Sequence, residues 1–553
     1  MSERLDKNSL YFLPLGGVNE IGMNLNLYGY GDQWLMVDLG TSFADEGMPG
    51  VDMVVPDVTW IAGRRKKLLG IVLTHAHEDH LGAISHLWDE LQCPIWATGF
   101  AASVLRRKLA EKGMEDEVPV HIYQPGELIE LGPFKIRSMN ITHSTPESQA
   151  LAIETPRGMV LHTGDWKLDP RPVLGPLTEI EALRGYGDRG VLALVCDSTN
   201  VFNRGHSGSE GDVRDSLMKV LADKPGRIAV TTFSSNLARL ESLFSVADHL
   251  GRHICLIGRS LHRFLGAARE NGYLKHIPNL VDEREAGFLP REKIMYVCTG
   301  CQGEPRGAMA RIAFNSHPHV VLSPGDTVAF SSKIIPGNDR TLYALHNELV
   351  SRGIEVITEK DAFIHVSGHP SRDELAEMYA LARPQIAIPV HGEPRHLVEH
   401  ARFARSLQVP HGIVPRNGDL IRIGPGAPEV IEQVPAGRLA IDGEDLVPVQ
   451  GGALQVRRKL AFNGAASVSL VVDGQGRLQA PPQVLLAGVV NIEPDEVAEE
   501  LAEAVATAIE KLRPGAQRDD AALEQAAIRA VRAGLRGETG RKPITQVHIV
   551  RLD

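Results

Sequence analysis

The stretch Leu68–Leu87, "LLGIVLTHAHEDHLGAISHL", decides the fold, because an apolar strand pattern gives way in it to a helical pattern. Three histidines and one aspartate stand within six residues at that junction: His75, His77, Asp79 and His80. In an extended segment His75 and His77 point to the same side, and the following turn brings the other two to the adjacent side. Neutral imidazoles and a carboxylate are ligands that zinc accepts without thiolates. The loop is therefore predicted to offer ligands to two neighbouring cations.

The composition is that of a globular protein with several domains. The chain has 553 residues, of which 43% are hydrophobic, and a formal net charge of −11. This charge argues against indiscriminate binding to nucleic acid but is compatible with a local basic groove. The N-terminus lacks a basic region followed by an apolar stretch, and no apolar run approaches about 18 residues. We therefore expect a cytoplasmic protein without a membrane segment.

Five cysteines, an odd number, indicate reduced thiols rather than a disulfide framework. The pair in "CTGC", Cys298 and Cys301, resembles a redox or metal-binding pair. Because no second pair or neighbouring histidine accompanies it, we interpret the motif as a turn that follows the strand "KIMYVCTG".

The strand and helix patterns divide the chain into five segments. Short β-rich runs alternate with helical patterns in residues 1–205, which predicts a layered α/β domain. A second α/β pattern without a comparable histidine cluster covers residues 206–360, and histidine-rich loops resume in residues 361–433. This order predicts one domain that is split by an insertion. Residues 434–455, rich in Pro, Gly and Asp, are predicted to form a linker.

The last segment, residues 456–553, is predicted to be a small α/β domain that serves assembly. Its pattern predicts a hairpin in "ASVSLVVDGQGRLQ", then two amphipathic helices, and a final strand in "ITQVHIVRL".

Further motifs identify the family that the chain resembles. The pattern His-x-His-x-Asp-His at a strand-to-helix junction is the signature of the metallo-β-lactamase fold. "DSTN" at Asp197–Asn200, "HVSGH" at His365–His369 and "PVHGEPRH" around His391 look like motifs of its β-CASP nuclease branch. Together with "LGGVNEIG" and "TGCQGEPRGAMARIA", they resemble the bacterial ribonuclease J family. The resemblance implies an α/β fold, in which an αββα metallo-β-lactamase sandwich carries an inserted β-CASP α/β domain and a small C-terminal α/β domain.

The resemblance also implies a complete set of metal ligands, because the expected downstream His and Asp are present in "THSTPES" and "HTGDWK". It assigns His75, His77 and His143 to one zinc ion, Asp79, His80 and His391 to the other, and Asp165 to both. Two such cations can activate water and stabilise an in-line displacement at phosphorus. The expected cofactors are two Zn²⁺ ions per chain, with Mg²⁺ or Mn²⁺ in a supporting role.

The resemblance assigns catalytic roles to three residues. Asp79 binds metal, Asp197 looks like the carboxylate that orients a ligand histidine, and His369 is needed by neither metal shell. We therefore expect His369 to stabilise the developing oxyanion or to protonate the leaving oxygen. The alternative is that His369 is an ordinary loop histidine.

The "HVSGH" loop has a second implied role, which is to bind a phosphate of RNA, because a Ser-Gly turn exposes backbone N–H groups. The residues of this pocket are His365, Val366, Ser367, Gly368 and His369. The "TFSSNLARL" loop of the inserted domain is expected to add Ser234, Ser235 and Asn236. An ordinary turn explains that second loop equally well.

The resemblance implies a zinc-dependent ribonuclease that hydrolyses RNA from the 5′ end, and internally as an endonuclease, in rRNA processing and mRNA decay. Its expected partners are 5′-monophosphorylated RNA, further copies of the chain in a homodimer or homotetramer, and proteins of an RNA-degradation complex. Two alternatives stay open, since fold alone does not select a substrate. One is a metallo-hydrolase of a small ester, thioester or lactam with the insertion as a lid, and the other is a non-catalytic RNA-binding scaffold.

A third, structural cation is also predicted. "GMPGVD", with Asp52, and "IDGED", with Asp442, offer oxygen ligands of the kind that hard cations bind. Ordinary polar turns are the alternative interpretation.

Overall fold

The computed structural model describes residues 5–45, 47–277, 280–335, 337–489 and 494–552. These residues fall into two compact units. The first unit comprises the chain up to Ser42 together with Val55–Gly437, and the second comprises Phe43–Val54 together with the chain from Arg438 onward. No helix in the described ranges has the length and apolar character needed to cross a membrane.

The first part of the chain forms strands wherever the sequence has short apolar, β-branched runs. In chain order, these strands are β1 (Leu10–Gly16), β2 (Leu25–Tyr30), β3 (Gln33–Val37), β4 (Ser42–Phe43), β5 (Met53–Pro56), β6 (Leu68–Val72), β7 (Ile95–Ala97), β8 (Val120–Ile122), β9 (Leu128–Leu131), β10 (Phe134–Asn140), β11 (Gln149–Thr155), β12 (Gly158–His162) and β13 (Ala193–Asp197). The helices between them are α1 (Thr59–Ala62), α2 (Glu78–Leu81), α3 (Ile84–Leu91), α4 (Gly99–Ala110) and α5 (Ile180–Arg189), and Arg65–Lys67 form a 3₁₀ turn.

The middle of the chain forms a separate parallel sheet. Its strands are β14 (Ile228–Thr231), β15 (His253–Ile257), β16 (Ile294–Cys298), β17 (Thr327–Phe330) and β18 (Glu355–Ile357), in the spatial order β15-β16-β14-β17-β18. Its helices are α6 (Glu210–Ala222), α7 (Leu237–His249), α8 (Arg259–Glu270), α9 (Glu283–Ala286), α10 (Ala308–Ala313) and α11 (Asp339–Ser351), with a 3₁₀ turn at Arg291–Lys293. A buried apolar cluster lies between this sheet and its helices. The alternation of parallel strands and helices is the inserted α/β domain that the family resemblance implies.

The chain then returns to the first domain. The returning elements are α12 (Arg372–Ala382), β19 (Ile386–Val390), α13 (Pro394–Ser406), β20 (His411–Gly412), β21 (Asp419–Gly424) and β22 (Glu429–Gln433). They complete an eight-stranded sheet of order β22-β21-β1-β2-β3-β6-β7-β8 and a seven-stranded sheet of order β20-β19-β13-β12-β11-β10-β9. The parallel pair β13 and β19 therefore joins the two sides of the insertion.

The core of the first domain lies between these two sheets, where side chains such as Phe12 and Ile136 are fully buried. Helices α5, α12 and α13 cover the outer face of the seven-stranded sheet through a second cluster that includes Leu183, Leu375 and Ala404. Helix α4 packs against β7 and β8 of the other sheet. Two packed sheets with helices outside them confirm the predicted αββα sandwich.

The second unit contains β23 (Arg438–Asp442), β24 (Asp445–Pro448), α14 (Gly452–Asn463), β25 (Ala465–Asp473), β26 (Gln483–Ala487), α15 (Pro494–Glu510), α16 (Pro514–Gln517), α17 (Asp520–Thr539) and β27 (Ile544–Leu552). β23 and β24 join β4 and β5 in a four-stranded sheet, and β26-β25-β27 form a three-stranded sheet. Residues 434–455, for which the sequence predicts a linker, thus contain a hairpin. Its turn passes through Gly443, whose φ of 66° favours glycine, so the Gly and Asp of this segment are turn residues.

The C-terminal part of the second unit follows its predicted pattern with one difference. The two amphipathic helices are α15 and α17, which bury their apolar faces against the three-stranded sheet. The final strand is β27, which pairs in parallel with β25. The predicted hairpin turns at Gly474–Gly476, but the antiparallel partner of β25 is β26, which begins only after Pro481 and Pro482. Proline cannot donate to the sheet ladder, so pairing resumes beyond these two residues.

Candidate metal centre

The candidate ligands lie where strands of the sandwich end. Strands β6, β12, β13 and β19 end at Val72, His162, Asp197 and Val390, at or just before residues of the predicted site. Strands β12, β13 and β19 are parallel neighbours, so their carboxyl ends meet at one edge of the seven-stranded sheet. Such an edge brings side chains from distant parts of the sequence together, and α/β folds place their ligand sites there.

Three overlapping groups of donor atoms meet at this edge and share Asp165, and the third of them joins it to Asp197, His369 and His391. The first ligand group consists of His75, His77, His143 and Asp165. The second ligand group consists of Asp79, His80, Asp165 and His391. Within each group, the ligand atoms lie within 4.8 Å of one another. The structure thus brings together all seven side chains that the sequence assigns to metal, in the division that the family resemblance implies.

The first ligand group contains a buried nitrogen atom that has no hydrogen-bond partner among the described residues. His143 Nε2 lies 3.2 Å from His77 Nδ1, and His75 Nε2 lies 3.9 Å from Asp165 Oδ2. The Nε2 atom of His75 is buried and has no hydrogen-bond partner among the residues that the structure describes. A buried polar atom without a partner is unfavourable, and such atoms are rare in folded proteins. This orphaned nitrogen, surrounded by nitrogen and oxygen donors, fits a zinc ligand.

The donor atoms of the second ligand group also lie close to one another. Asp165 Oδ2 lies 3.2 Å from His80 Nε2 and 3.7 Å from His391 Nε2. Asp79 Oδ2 lies 3.1 Å from the same nitrogen of His391. The side-chain nitrogen of Asn24 lies 3.0 Å from His80 Nε2. A cation bound to His80 Nε2 would take the place of this amide contact.

Asp38 sets the orientation of His80 directly and that of His75 through Thr74. Asp38 follows β3 with a left-handed φ of 62°. Its Oδ2 accepts hydrogen bonds from His80 Nδ1 at 2.7 Å and from the Thr74 hydroxyl at 2.8 Å. Because the Thr74 hydroxyl donates to Asp38, its oxygen accepts from His75 Nδ1 at 2.9 Å. In both histidines Nε2 is therefore the ring nitrogen left for the centre.

Asp197 has a similar arrangement with His391 and His369. Asp197 Oδ1 accepts from the Thr199 hydroxyl at 2.7 Å, and the hydroxyl oxygen lies 2.8 Å from His391 Nδ1. Asp197 Oδ2 accepts from His369 Nδ1 at 2.7 Å. The rings of His369 and His391 are stacked, with their centroids 5.3 Å apart. One carboxylate thus holds a ligand histidine through a hydroxyl and holds His369 directly, which corresponds to the orienting role expected of Asp197.

Gly368 connects the "HVSGH" loop to the first ligand group. The Gly368 carbonyl oxygen accepts a hydrogen bond from His143 Nδ1 at 2.6 Å. A Cβ atom at position 368 would lie 2.7 Å from His143 Cε1. Because real Cβ atoms essentially never approach so closely, the contact requires glycine for reasons of space.

Burial and charge divide the ligand histidines into two classes. Burial lowers the pKa of His75 and of His143 well below the usual value, and it lowers the pKa of His77 to about 4. Burial also disfavours the charged forms of His80 and His391, but neighbouring carboxylates outweigh it and raise the pKa of both. A cation that binds the second ligand group must displace these protons, so its binding releases protons.

The "HVSGH" loop is tied to the "DSTN" loop by Asn200. The Asn200 side-chain nitrogen donates to Ser367 Oγ at 2.7 Å and to the His369 carbonyl at 3.1 Å. The His369 amide donates to Ser367 Oγ at 3.2 Å, so one N–H of the expected phosphate cradle already has a partner within the loop. His365 Nδ1 is buried and unpartnered within the described part of the chain, and burial, followed by the charge of Arg239, lowers its pKa.

The other candidates for the phosphate pocket have structural roles. Val366 is buried, so its side chain faces the interior. Asn236 Oδ1 accepts from the Arg239 amide at 2.8 Å and caps the first turn of α7. Ser234 is partly buried in the turn before that cap. Among the described residues, no hydrogen bond joins Ser234 or Asn236 to the "HVSGH" loop, so the structure does not bring the two loops together through these side chains.

Several residues that organise the centre escaped the sequence analysis. They are Asn24, Asp38, Thr74, Thr199, Asn200 and Arg239. Asp38 and Thr74 stand at strand ends that the sequence does predict, and Thr199 and Asn200 lie inside the "DSTN" motif. A polar residue at or just after the end of an apolar strand is therefore the sequence signal that could have identified these four residues.

Two sequence interpretations concern other sites. Both carboxylate oxygens of Asp442 accept hydrogen bonds from Arg457, at 2.9 and 2.7 Å, so this carboxylate is satisfied without a cation. The donor groups found in the described ranges do not include Asp52 or Asp442, and a third cation there is not supported. Cys298 and Cys301 are buried free thiols, and burial raises the pKa of both, which agrees with a structural turn rather than a reactive pair.

Family models match the chain in four segments. "Metallo-beta-lactamase superfamily" matches residues 24–231, and "Ribonuclease J, beta-CASP domain" matches residues 225–349. "Zn-dependent metallo-hydrolase RNA specificity domain" matches residues 353–411, and "Ribonuclease J C-terminal domain" matches residues 452–552.

Curated relatives are similar over most of the chain. Ribonuclease J of Sinorhizobium meliloti is 43% identical over 549 residues, which are 98% of this chain and 97% of that protein. Ribonuclease J of Synechocystis is 37% identical over 91% of this chain and 79% of its own length. Ribonuclease J of Thermus thermophilus is 34% identical over 83% of this chain and 81% of its own length.

A solved structure shares the fold. A protein of unknown function from Enterococcus faecalis V583 aligns with a TM-score of 0.52 at 16% sequence identity, and the alignment covers 75% of this chain and 100% of that chain. At this level of identity the likeness concerns the fold alone.

Proposed function

The chain belongs to the ribonuclease J family of metal-dependent ribonucleases, and from this premise we propose a two-zinc enzyme that degrades RNA from the 5′ end. The proposed activity includes internal cleavage and serves rRNA processing and mRNA decay. Membership of this family sets aside the two alternatives that the sequence left open, a hydrolase of small esters and a non-catalytic scaffold.

One observation carries the proposal of two zinc ions, namely that the two ligand groups share Asp165. Their donors are nitrogen and oxygen atoms only, which is a ligand set that catalytic zinc uses. Zinc ions held by these groups would supply a nucleophile from water near neutral pH and offset the negative charge that develops at phosphorus. The orphaned Nε2 of His75 supports the same assignment.

His369 is the chain's own candidate for proton transfer to the leaving group. Its Nδ1 is held by Asp197, so Nε2 is the ring atom left for the substrate, and 22% of the side chain is exposed. In the proposed step, a water oxygen bonds to phosphorus and the bond between phosphorus and the leaving oxygen breaks. The Nε2 proton of His369 passes to that oxygen, which becomes a hydroxyl group.

The preference for a 5′ monophosphate is proposed from the "HVSGH" loop. His365 offers a buried, unpartnered ring nitrogen among the described residues of this loop, and Asn200 fixes the loop against the "DSTN" motif. Two further phosphates at the 5′ end would add charge that needs additional partners, so a triphosphate is expected to bind poorly.

The test compares one RNA that carries either a 5′ monophosphate or a 5′ triphosphate, together with a DNA of the same sequence. The proteins are wild type with bound metal, His77→Ala, and His121→Ala as a control at an exposed histidine stacked on Trp96. We expect stepwise loss of the monophosphorylated RNA only, abolished in His77→Ala and retained in His121→Ala. Equal loss of the triphosphorylated RNA would contradict the proposed 5′ selectivity, and activity in His77→Ala would contradict the ligand assignment.

The proposal extends to assembly and location. We infer a homodimer or homotetramer formed through the second unit, supported by its exposed Phe462 and Leu485. A cytoplasmic location and partners in an RNA-degradation complex are part of the same proposal. Five free, buried thiols support a reducing compartment.

A further inference from the structure

A cavity of about 330 Å³ lies in the first unit beside the first ligand group. Elements of the sandwich and of the inserted domain both line it, through Gly99, Gln124, Asn140, Glu147, Asn271 and Tyr273. Its volume falls at the lower end of the range for small-molecule sites, roughly 300–1,000 Å³. The metal ligands themselves do not line this cavity, so it is a separate feature of the molecule.

The cavity adjoins the loop that carries a metal ligand. Asn140, Glu147 and Pro176 line both this cavity and a smaller neighbouring pocket, and that pocket is also lined by His143. Glu147 follows His143 by four residues and adopts a left-handed φ of 59°. The segment from Asn140 to Glu147 therefore contributes both to the wall of the cavity and, through His143, to the first ligand group.

Glu147 is held from two sides at the wall of the cavity. Its Oε2 accepts from the Phe100 amide at 2.7 Å, and its Oε1 accepts from the Tyr273 hydroxyl at 3.0 Å. One backbone N–H in the first turn of α4 thus already donates to a carboxylate. A phosphate would meet a negative charge here, so the cavity is unsuited to the RNA backbone.

The side chains beside Gly99 leave hydrogen-bond acceptors free. Both N–H groups of the Asn271 side chain are used, by Ser103 Oγ at 2.9 Å and by the Ala267 carbonyl at 2.8 Å. The Asn271 Oδ1 atom is left as an acceptor, and the Glu147 carboxylate has unused lone pairs. A ligand that fits these groups must bring donors.

Gly99 keeps the space between these acceptors open. A Cβ atom at this position would lie 2.8 Å from Asn271 Oδ1 and 3.9 Å from Glu147 Oε2. The two acceptors thus converge on the same small volume. Gly99 does not have a positive φ, so its conformation does not demand glycine, and the missing side chain leaves space.

We propose that this cavity, here called the base pocket, binds one nucleobase of the RNA substrate by an edge that carries donors. Guanine fits best, because its N1–H and its amino group offer adjacent donors to two acceptors, whereas uracil offers one ring N–H. Tyr273 supplies an aromatic side chain at the wall, and single-stranded RNA is recognised in other proteins by such stacking and edge contacts. The inference rests on RNA as the substrate and is independent of the direction of degradation.

The first experiment measures kcat/KM of the metal-loaded enzyme for RNAs of one sequence in which a single nucleotide at successive positions is abasic. We expect one position at which loss of the base lowers kcat/KM of wild type roughly tenfold, since one bound base contributes this much. Gly99→Ala fills the base pocket, so it should lower kcat/KM on the intact RNA by a similar factor. In this variant an abasic nucleotide at the sensitive position should cause no further fall in kcat/KM. Gly185→Ala, where a Cβ would meet no described atom within 4 Å, is the matched control.

The second experiment does not depend on a variant that fills space. Guanosine at the sensitive position is replaced by inosine, which lacks the amino group, and the ratio of kcat/KM values is measured in wild type and Glu147→Gln. We expect wild type to prefer guanosine and Glu147→Gln to lose this preference. An equal effect of abasic sites at all positions, or the same guanosine preference in both proteins, overturns the proposal. Activity is measured as loss of the full-length RNA. The ends of the products are analysed separately, so a failure of the proposed 5′-directed degradation is distinguished from a failure of the base pocket.

Discussion

Four of the candidate ligand histidines are each held by the protein through one ring nitrogen. In these four, Nδ1 is held by a protein oxygen: His75 by Thr74, His80 by Asp38, His143 by Gly368 and His391 by Thr199. In each case the oxygen can accept from Nδ1–H, so Nε2 is the ring nitrogen left to bind a cation. The centre is therefore organised before any cation arrives, and its geometry depends on residues that contact no metal.

Removal of the Asp38 charge tests this dependence. Asp38→Asn keeps the shape of the side chain but no longer offers His80 Nδ1 a carboxylate. We expect zinc affinity to fall by about 10- to 100-fold with little change in the fold. Competition with a chromophoric chelator measures the affinity, and Asp57→Asn, at a half-buried aspartate that accepts from the Thr59 amide at 2.9 Å, is the control. Unchanged zinc affinity in Asp38→Asn would show that His80 needs no such partner.

Gly368 gives a prediction about space rather than charge. In Gly368→Ala the new Cβ would press on His143, 2.7 Å from Cε1, and displace it from the first ligand group. We expect loss of about one zinc ion per chain by elemental analysis and at least about a tenfold fall in kcat, a loss typical of misplaced groups at catalytic centres. Gly185→Ala, a helical substitution at which a Cβ would meet no described atom within 4 Å, should keep both metal content and activity. Full metal content in Gly368→Ala would contradict the role given to this glycine.

His400 links stability to pH outside the centre. It is fully buried between Ser198 Oγ at 2.8 Å and the Tyr379 hydroxyl at 2.9 Å, and burial lowers its pKa to about 4. The unfolded chain takes up this proton near pH 6.5 and the folded chain only near pH 4, so stability falls as the pH drops through this window. The loss amounts to about 3 kcal/mol.

His400→Gln removes this titration. The thermal midpoint of the variant should fall less steeply than that of wild type between pH 6.5 and pH 4.5, and the two curves should run parallel above pH 7. Parallel curves over the whole range would contradict this prediction, because they would mean that His400 takes up its proton at the same pH in the folded and the unfolded chain.

For individual residues, the sequence identifies the candidate metal ligands but not the residues that hydrogen-bond to them. Four candidate metal ligands stand within six residues, so a short sequence pattern is enough to find them. Their partners are distant: Asp38 is 42 residues from His80, Thr199 is 192 residues from His391, and Gly368 is 225 residues from His143. Only the fold brings such pairs together, and no local periodicity encodes them.

At the scale of elements, helix α7 joins the inserted domain to the segment before the "HVSGH" loop. Arg239 in α7 is fully buried and paired with Glu210 of α6 at 3.0 Å. Its NH1 group also donates to the carbonyl oxygens of Ser331 and Ile364, each at 3.0 Å. Ile364 directly precedes His365, so this arginine reaches from the inserted domain to the predicted phosphate pocket.

The buried pair predicts an asymmetric mutational response. Arg239→Met leaves Glu210 buried without a partner and should destabilise the protein by about 3–5 kcal/mol, seen as a lower thermal midpoint. The double variant Arg239→Met, Glu210→Leu should recover part of this loss, because no unpaired charge is left. Recovery should stay incomplete, since the two carbonyl oxygens still lack their donor. A double variant as unstable as Arg239→Met alone would argue against this account.

The sequence predicts elements well where periodicity is strong and less well where turns carry the structure. Strand β27 and helices α15 and α17 lie where the pattern places them. The hairpin of β23 and β24 occupies a segment whose Pro, Gly and Asp content suggests a linker. Turn residues mark both tight hairpins and linkers, so composition alone does not distinguish the two.

At the scale of the whole molecule, assembly is the open prediction. Leu485 on edge strand β26 is 74% exposed, and Phe462 in the same unit is 77% exposed. Edge strands with apolar side chains favour pairing with another chain. Leu485→Lys should therefore lower the mass measured by light scattering at micromolar concentration, whereas Leu177→Lys, at an exposed leucine of the first unit, should not. An unchanged mass in Leu485→Lys would place the contact between copies elsewhere.

The parallel pairing of β13 with β19 has a consequence for synthesis of the protein. Strand β13 ends at Asp197, but its neighbour, with the following ligand His391, is translated almost two hundred residues later. A nascent chain therefore lacks part of the second ligand group until the inserted domain has been made. The proposed centre is therefore completed only after the ribosome has passed the codon for His391.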